Sequence, residues 1–447
     1  MSTPVPTPQV AASPQGNATL TLQELEQLAL ANNPTLAQAA ADVERERALY
    51  VQDGLYPNPL LGYLRNDASR SGQPRTDGAF FSQEIVTAKK LQKAQAVESQ
   101  HYASATWQQV AQRQRVLNDL YLRYFEVLGA QEAVRIAERL KSVADEGVTL
   151  AEDLYHGKQG SKPDVLQSRI HLNSVKITLR EAQNRYTAAW RHLAVIVGCP
   201  ELQPIPLEGR LQIEAPALTF EDSWAQLQDA SPQLKSAQIE LEAFKAELRL
   251  EQAQPIPNVT AQVVAQYDHT NQYTSVSTLL AAPVPIYNRN QGNIQRALAD
   301  IREAQAEVER VRLVLRDALT DSFNRYQTTH YQVEQVEHQI LPDARENLSL
   351  TTAGYKLGEY SFLEVLNARR TYAQAYLAYV ESLTELRKVM VEIDGLQLVG
   401  GGLNPPELGK AIQAQGGGGR RQAILNQLRQ DSSTKQTLPG TVQSMTP

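Results

Sequence analysis

Three residues have types and a spacing that could hold a metal ion: His330, Glu334 and His338. At i, i+4 and i+8 their side chains would share one face of a helix, and two imidazoles with a carboxylate are suitable ligands for a transition metal. Polar residues at this spacing are more typical of the solvent-facing stripe of a coiled-coil helix. We therefore predict a polar stripe at these positions and no metal site.

Other patterns that would indicate catalysis or a cofactor are weak or missing. The segment GKQGSK, 157–162, resembles a phosphate-binding loop but lacks the GxxxxGK[ST] spacing and a preceding strand. The sequence has no GxSxG, HExxH or GxGxxG motif. The single cysteine, Cys199, cannot form a disulfide within the chain, and no CxxC pattern indicates a metal site. The sequence predicts that the protein is not an enzyme and binds no cofactor.

Charge and hydropathy exclude two further classes. The chain has 447 residues, with 43 Lys and Arg against 49 Asp and Glu, which gives a net charge of −6. This balance is too acidic for electrostatic binding of nucleic acid, so nucleic acid is not an expected partner. The mean hydropathy is −0.40, and no run of eighteen apolar residues occurs, which excludes a membrane-spanning helix.

The elements that would position any functional residue are encoded twice. Residues 20–59 align without a gap on residues 218–257, so that Pro34, Pro57 and Pro59 each match a proline 198 positions later. Residues 155–170 align on residues 355–370 at an offset of 200. We predict two structural repeats, 19–198 and 218–396, joined by a Pro-rich link, 199–217. A flexible N-terminal arm, 1–18, without a visible export signal, and a disordered C-terminal tail, 397–447, would flank them.

The hydrophobic period changes in the same order within each repeat. A helix precedes a run of alternating apolar and polar residues, which is clearest from Val259 to Asp268 and predicts a strand with one face of each kind. A 3-4 spacing typical of a coiled coil follows, from Ile301 to Ile340 in the second repeat. Pro342 is expected to bend that helix. Each repeat should therefore contain a helix, a β-hairpin (58–86 and 257–287) and a long helical hairpin (87–198 and 288–396).

Two interpretations of this layout remain open from the residues alone. Four strands per chain are too few to close a barrel with an interior, so a membrane location requires several copies, and three copies would supply twelve strands. The polar strand face would then line water. The alternative is a soluble coiled-coil scaffold in which the hairpins are ordinary sheet edges.

The chain resembles the TolC-type outer-membrane efflux proteins of Gram-negative bacteria. The resemblance covers about residues 20–396 and rests on the duplicated layout, the PNP before the first strand and the YxxGxxSxxEVLxAR pattern that starts at Tyr355. It implies a mainly α fold with long coiled-coil helical hairpins and four strands per chain, which contribute to a trimeric twelve-stranded transmembrane β-barrel. The implied location is the bacterial outer membrane, with an extension into the periplasm.

The resemblance also implies a function and partners. The chain would form a homotrimer that serves as a passive outer-membrane exit duct of a tripartite efflux system, of the metal or drug branch. A periplasmic adaptor (membrane fusion) protein would open it, an inner-membrane pump of the RND or ABC type would supply energy, and outer-membrane lipid would surround it. A duct for type I protein secretion is the alternative within the family.

Site residues follow from the same resemblance. In the family, the turns of the helical hairpins contact the adaptor, and acidic residues just after them narrow the tunnel entrance. Lys158 stands where the second repeat has Gly358, which leaves the geometry of the first turn open. Three Glu364 side chains would form a constriction and raise one another's pKa, whereas in the alternative Glu364 only caps its helix. The matching adaptor positions are Tyr355, Gly358, Tyr360, Ser361, Leu363, Gly157, Gly160 and Ser161, and the matching entrance positions are Glu364, Asn367, Asp164 and Gln167.

Overall fold

The computed structural model describes residues 19–66, 75–212, 218–400 and 402–403. The first repeat contains α1 (Leu22–Asn32), α2 (Pro34–Asp53), β1 (Leu60–Asn66), β2 (Thr76–Ile85), α3 (Lys90–His156) and α4 (Lys162–Val197). The second contains α5 (Phe220–Ala230), α6 (Pro232–Glu251), β3 (Val259–Asp268), β4 (Tyr273–Ala281), α7 (Gln291–Gln335), a π-helical turn (Val336–Ile340), α8 (Leu341–Leu357) and α9 (Phe362–Asp394). The N-terminal arm and most of the predicted tail lie outside the described residues.

The single helix expected before each hairpin is in fact two helices. Pro34 occupies the first turn of α2, where a missing N–H does no harm, and Asn33 caps the new helix by accepting a hydrogen bond from the Thr35 N–H at 3.0 Å. Ser231 and Pro232 repeat this break between α5 and α6. The sequence signal, a capping residue followed by proline, is therefore a helix boundary in both repeats.

The long helices differ between the two repeats. In the first, α3 runs for 67 residues without interruption, about 100 Å at ~1.5 Å per residue. In the second, the π-helical turn Val336–Ile340 separates α7 from α8 just before Pro342. The wider turn relieves the clash between a proline ring and the preceding helical turn. It also rotates the helix face, so Ile340, expected in the buried seam, is 48% exposed. No helix in the described parts of the chain is long and apolar enough to cross a membrane.

One antiparallel sheet unites the two hairpins in the order β1-β2-β3-β4. The central pair, β2 with β3, is matched from Thr76↔Asp268 to Ile85↔Val259. It joins the first repeat to the second, so the sheet holds the two halves of the chain together at one end of the helices.

The apolar core lies where helices of both repeats meet the link between them. Trp190 of α4 is 1% exposed, and its indole N–H donates to the Leu202 carbonyl of the link at 2.8 Å. The other fully buried large side chains of this core include Leu25, Leu120, Leu193, Leu319 and Leu386. Residues 199–212 of the link are therefore part of the packed structure.

The segment after α9 is packed as well, although the predicted tail starts at residue 397. Leu398 is 1% exposed, and its carbonyl accepts a hydrogen bond from the Asn118 side chain at 2.7 Å. The Asp119 carboxylate accepts from the N–H groups of Gly400 and Gly402 at 2.6 and 2.7 Å. These contacts tie the end of the second repeat to the middle of α3.

Candidate functional site

The sheet has one apolar and one polar face. Residues that stand opposite each other in an antiparallel sheet point to the same side, and Phe81, Val263 and Thr278 are matched in this way across β2, β3 and β4. The apolar face carries Leu61, Tyr63, Ala79, Phe81, Ile85, Val259, Ala261, Val263, Ala265, Tyr267, Val276 and Leu280. The opposite face carries the polar residues Ser82, Glu84, Thr260, Gln262, Gln266, Ser275 and Ser277, and also the apolar residues Leu60, Leu64, Phe80, Val264 and Leu279. The alternation predicted for Val259–Asp268 is thus clearest in β3 and weaker in the neighbouring strands, where Phe80 and Leu279 interrupt the polar face.

The apolar face and both sheet edges are uncovered in the single chain. Leu61 is 76% exposed, Val276 67% and Leu280 74%. Within the described residues, β1 pairs only with β2, and β4 pairs only with β3. An exposed apolar face of this size marks a surface that meets a partner or a membrane, and an open edge is a template for a further strand.

The second helical hairpin turns through Gly358, which has a φ of +77°. The N–H of Glu359 donates to the Gly354 carbonyl at 2.9 Å and closes the end of α8. Ser361 then begins α9 with a capping box: its hydroxyl and N–H donate to Glu364 Oε2 at 2.8 and 2.6 Å.

The first hairpin turns in the same way without a glycine at the matching position. Lys158 has a φ of +59°, and the N–H of Gln159 donates to the Leu154 carbonyl at 2.8 Å. Ser161 caps α4, and its hydroxyl donates to Asp164 Oδ2 at 2.6 Å. The question left open by Lys158 is answered, since both turns have one geometry.

Replacing Lys158 by glycine is expected to stabilise the chain by about 0.5–1 kcal/mol. The left-handed conformation costs a residue with a side chain about 1–2 kcal/mol, which exceeds the extra entropy of an unfolded glycine. The midpoint of urea unfolding measures the gain. Gln159→Gly, one position on and outside the left-handed region, is the matched control and should give no gain. Equal effects of the two changes would contradict this origin.

Glu364 acts as a helix cap in the single chain. The backbone N–H and the hydroxyl of Ser361 donate to its carboxylate and hold the pKa of Glu364 below its usual value. The expected rise in pKa requires three copies close together, and the effect within one chain has the opposite sign. Asn367 lies one turn further along α9, and Gln167 lies one turn beyond Asp164 in α4; both are exposed. The four entrance positions therefore occupy equivalent places in the two hairpins.

The second turn exposes apolar side chains at its tip. Leu357 is 76% exposed, Tyr360 45% and Leu363 51%. The Tyr360 ring covers Gly354 so closely that a Cβ there would lie 2.3 Å from it. The ring centroids of Tyr355 and Phe362 are 5.8 Å apart, so these two rings pack against each other where α8 ends and α9 begins. The sequence analysis did not identify Gly354, because the aligned position in the first repeat is Leu154 and the glycine is not part of the repeated pattern.

A sequence profile of the outer membrane efflux protein family matches residues 25–199 and 225–393. The two matched segments coincide with the two repeats and together span well over half of the chain. The chain belongs to the outer membrane efflux protein family.

Two relatives by sequence and one solved structure support this family assignment. The chain is 25% identical over 387 residues to the cobalt-zinc-cadmium resistance protein CzcC of Cupriavidus metallidurans, covering 87% of this chain and 91% of the relative. It is 24% identical over 294 residues to the nickel-cobalt-cadmium resistance protein NccC of Alcaligenes xylosoxydans xylosoxydans, covering 65% and 66% of the two chains. The solved outer-membrane channel OprN has a TM-score of 0.71 at 19% identity, covering 85% of this chain and 90% of OprN.

The histidine pattern does not form a compact cluster in the structure. The residues that the structure describes include no group of three or more His, Cys, Asp or Glu side chains that could hold a metal ion. His330 and Glu334 lie on α7, but His338 lies in the π-helical turn, which shifts it off their common face. In this member of the outer membrane efflux protein family, the three residues do not form one face of a regular helix.

Proposed function

We propose that three copies of the chain form a channel through the outer membrane. In this assembly β4 of each copy pairs with β1 of the next, which closes a twelve-stranded barrel. The apolar face meets lipid and the polar face lines a water-filled bore. The long helical hairpins continue the bore as a tunnel into the periplasm.

The observation that carries this proposal is the combination of an uncovered apolar face with two open edges in one sheet. Hydrocarbon offers no hydrogen bonds, so an open strand edge cannot remain in a membrane. A closed barrel satisfies both edges, and twelve strands lie within the range found in outer-membrane barrels. A soluble scaffold would leave Leu61, Val276 and Leu280 in water.

The channel is proposed to be the passive exit duct of a tripartite efflux system. An adaptor protein would dock on the exposed apolar tip side chains Leu357, Tyr360 and Leu363, and an inner-membrane pump of the RND or ABC type would supply the energy. Docking opens the tunnel only if the adaptor binds the open form better than the closed one. The resistance functions named for CzcC and NccC favour divalent metal cations as the cargo.

Disulfide trapping between the outer strands tests the assembly. In a Cys199→Ser background, Leu61→Cys on β1 is combined in turn with Val276→Cys and Thr278→Cys on β4. Neighbouring strands place Cα atoms within the 4.4–6.8 Å that a disulfide needs. Oxidation should give bands up to three times the 49.6 kDa of one chain and no higher.

Two outcomes would contradict the trimer. One is the absence of linked species for every pair, and the other is a ladder that continues beyond three chains. A cysteine on the central strand β3, Val263→Cys, combined with Leu61→Cys, is the matched control. Since β2 lies between β1 and β3, this pair should not link.

Glu364→Gln is expected to weaken the preference of the channel for cations. We propose that three Glu364 carboxylates gather near the tunnel entrance, where their charge attracts cations. Glutamine keeps the capping box, so the helix start is retained while the charge is removed. The reversal potential across a bilayer under a salt gradient measures the preference, and Glu359→Gln, also exposed at the tip, is the control. An unchanged reversal potential in the Glu364 variant would show that Glu364 does not determine the preference for cations.

A further inference from the structure

Near the tips of the two helical hairpins, four helices stand side by side in the order α4, α3, α9, α8. Arg169 of α4 pairs with Glu152 of α3 at 2.6 Å, and Arg369 of α9 donates to the Val143 carbonyl of α3 at 3.5 Å. In turn, α8 packs on α9. The outer helices of this row are therefore α4 and α8, and each has a side that the single chain leaves uncovered.

The uncovered side of α4 carries residues at the spacing of a coiled coil. Five exposed residues follow one another at intervals of 4-3-4-3: Leu166, Ile170, Asn173, Ile177 and Arg180. Ile170 is 63% and Ile177 is 62% exposed, whereas the buried Val165 and Val175 lie on the other side of the helix. We call the five exposed residues the α4 seam.

The uncovered side of α8 has the same character. Four exposed residues follow one another at intervals of 3-4-3: Asp343, Glu346, Leu350 and Ala353. Leu350 is 60% exposed, whereas Leu341 and Ala344 are buried on the other side of the helix. We call these four exposed residues the α8 seam. Exposed apolar residues at this spacing indicate a helix face that has a partner outside the single chain.

The two seams carry opposite charges. Arg180 ends the α4 seam, and Asp343 and Glu346 begin the α8 seam. Within the described parts of the chain, these three side chains form no ion pair. Two α8 seams in contact would bring four carboxylates together, which costs free energy. The charges therefore favour contact between an α4 seam and an α8 seam.

The two hairpins also reach equally far from the sheet. The helical segments that lead from the sheet to the tips, Lys90–His156 and 291–357, both have 67 residues. Glu152, which pairs with Arg169, corresponds to Thr352 at the offset of 200 between the repeats. In a ring of hairpins around one axis, Arg169 of one copy is therefore level with about Thr352 of the next copy.

At this level the two seams would meet along their length. The chain runs away from the tip in α4 and toward the tip in α8, so the two helices are antiparallel. Counted from Arg169 and Thr352, Ile170 is level with residue 351, next to Leu350. Arg180 is level with residue 341, about 3 Å along the axis from Asp343 at ~1.5 Å per residue. This offset is within the reach of an arginine side chain.

We propose that the α4 seam of each copy packs on the α8 seam of the next copy as an antiparallel coiled coil, with Arg180 paired to Asp343. The inference rests on the proposed function, which supplies the neighbouring copy. The contact joins the first repeat of one chain to the second repeat of the next, so it is head-to-tail and closes after three copies. Asn173 and Arg180, polar residues within the α4 seam, fix its register. The wall of the tunnel is thereby completed far from the barrel.

Disulfide trapping tests this contact. In a Cys199→Ser background, Ile170→Cys is combined with Leu350→Cys; both positions are exposed, so the changes leave the core intact. Oxidation of the detergent-purified protein should link copies into bands of two and three times the 49.6 kDa of one chain. The matched control combines Ile170→Cys with Leu313→Cys. Leu313 is 66% exposed but lies about 55 Å further from the tip at ~1.5 Å per residue, so this pair should not link.

Charge reversal in the same cysteine variant tests the ion pair. Arg180→Asp should slow the linking of Ile170→Cys to Leu350→Cys about fivefold at low salt, because like charges then oppose the contact. Adding Asp343→Arg reverses the pair and should restore the rate. Arg302→Asp, at an exposed position of α7 remote from both seams, is the charge-matched control and should leave the rate unchanged.

The outer-strand cysteine pairs separate failure of this contact from failure of the proposed function. If Leu61→Cys links to Thr278→Cys but Ile170→Cys does not link to Leu350→Cys, the trimer stands and the seam contact is overturned. Both seams would then be open to another partner, such as the adaptor. If neither pair links, the proposed function fails together with the contact.

Two further results would count against the contact. A link within one chain, seen as oxidised protein of single-chain mass, would overturn it, because α4 would then lie beside α8 of the same copy. A linking rate that Arg180→Asp does not slow, or that Asp343→Arg does not restore, would overturn the pairing of Arg180 with Asp343.

Discussion

Val263→Arg is expected to destabilise the assembled barrel by about 2–4 kcal/mol per chain, because it places a charge on the lipid side of a central strand. Val263 lies near the middle of β3 on the apolar face and is 45% exposed in the single chain. In water this exposure would make the change almost neutral. A large loss therefore arises only if hydrocarbon covers the face.

The neighbouring position supplies the matched control. Gln262 precedes Val263 on the same strand but points to the polar face, so Gln262→Arg should project into the water-filled bore and change stability little. Urea titration of the trimer reconstituted in vesicles, followed by tryptophan fluorescence, compares the two variants. Equal stability of both variants, or a larger loss for Gln262→Arg, would contradict the assignment of the two faces.

Trp190→Ala is expected to lower the free energy of unfolding by about 3–5 kcal/mol. The side chain is 1% exposed at the junction of α4 with the inter-repeat link. Its removal leaves a large cavity and also leaves the Leu202 carbonyl without its hydrogen-bond donor. The midpoint and slope of urea unfolding in detergent measure the loss.

Two further substitutions separate packing from the hydrogen bond at this site. Trp190→Phe keeps most of the apolar volume and removes the indole N–H, so the expected loss falls to about 1–3 kcal/mol. Trp107→Ala truncates a tryptophan that is only partly buried and should cost less than Trp190→Ala. A loss below about 1 kcal/mol for Trp190→Ala would contradict a stabilising role of Trp190 in the packing of the link.

The architecture could be predicted from the sequence because its signals are repeated and periodic. Pro34 and Pro232 mark the same position in both repeats, and the alternation through Val259–Asp268 fixes which side chains share a sheet face. The pairing of β2 with β3 was not predicted, since no local pattern determines which strands of different repeats are neighbours. That pairing depends on packing between segments far apart in sequence.

Other features depended on local geometry that sequence patterns describe poorly. Pro342 predicts an interruption, but no sequence pattern marks Val336–Ile340 as a π-helical turn. Ser361 and Glu364 carry the capping-box signal, and capping is one of the two roles that the sequence allows for Glu364. Its other role, a ring of three carboxylates, depends on contacts between copies of the chain. Arg65 of β1 and Asp77 of β2 stand opposite each other only because of the strand register, which no local sequence pattern determines.

The ionic current across a planar bilayer, measured on material whose particle mass is known, tests the proposed channel most directly. We expect purified protein in detergent to have three times the chain mass of 49.6 kDa and to produce uniform current steps after insertion. A particle with the mass of one chain that stays dispersed without detergent and produces no steps would contradict the channel.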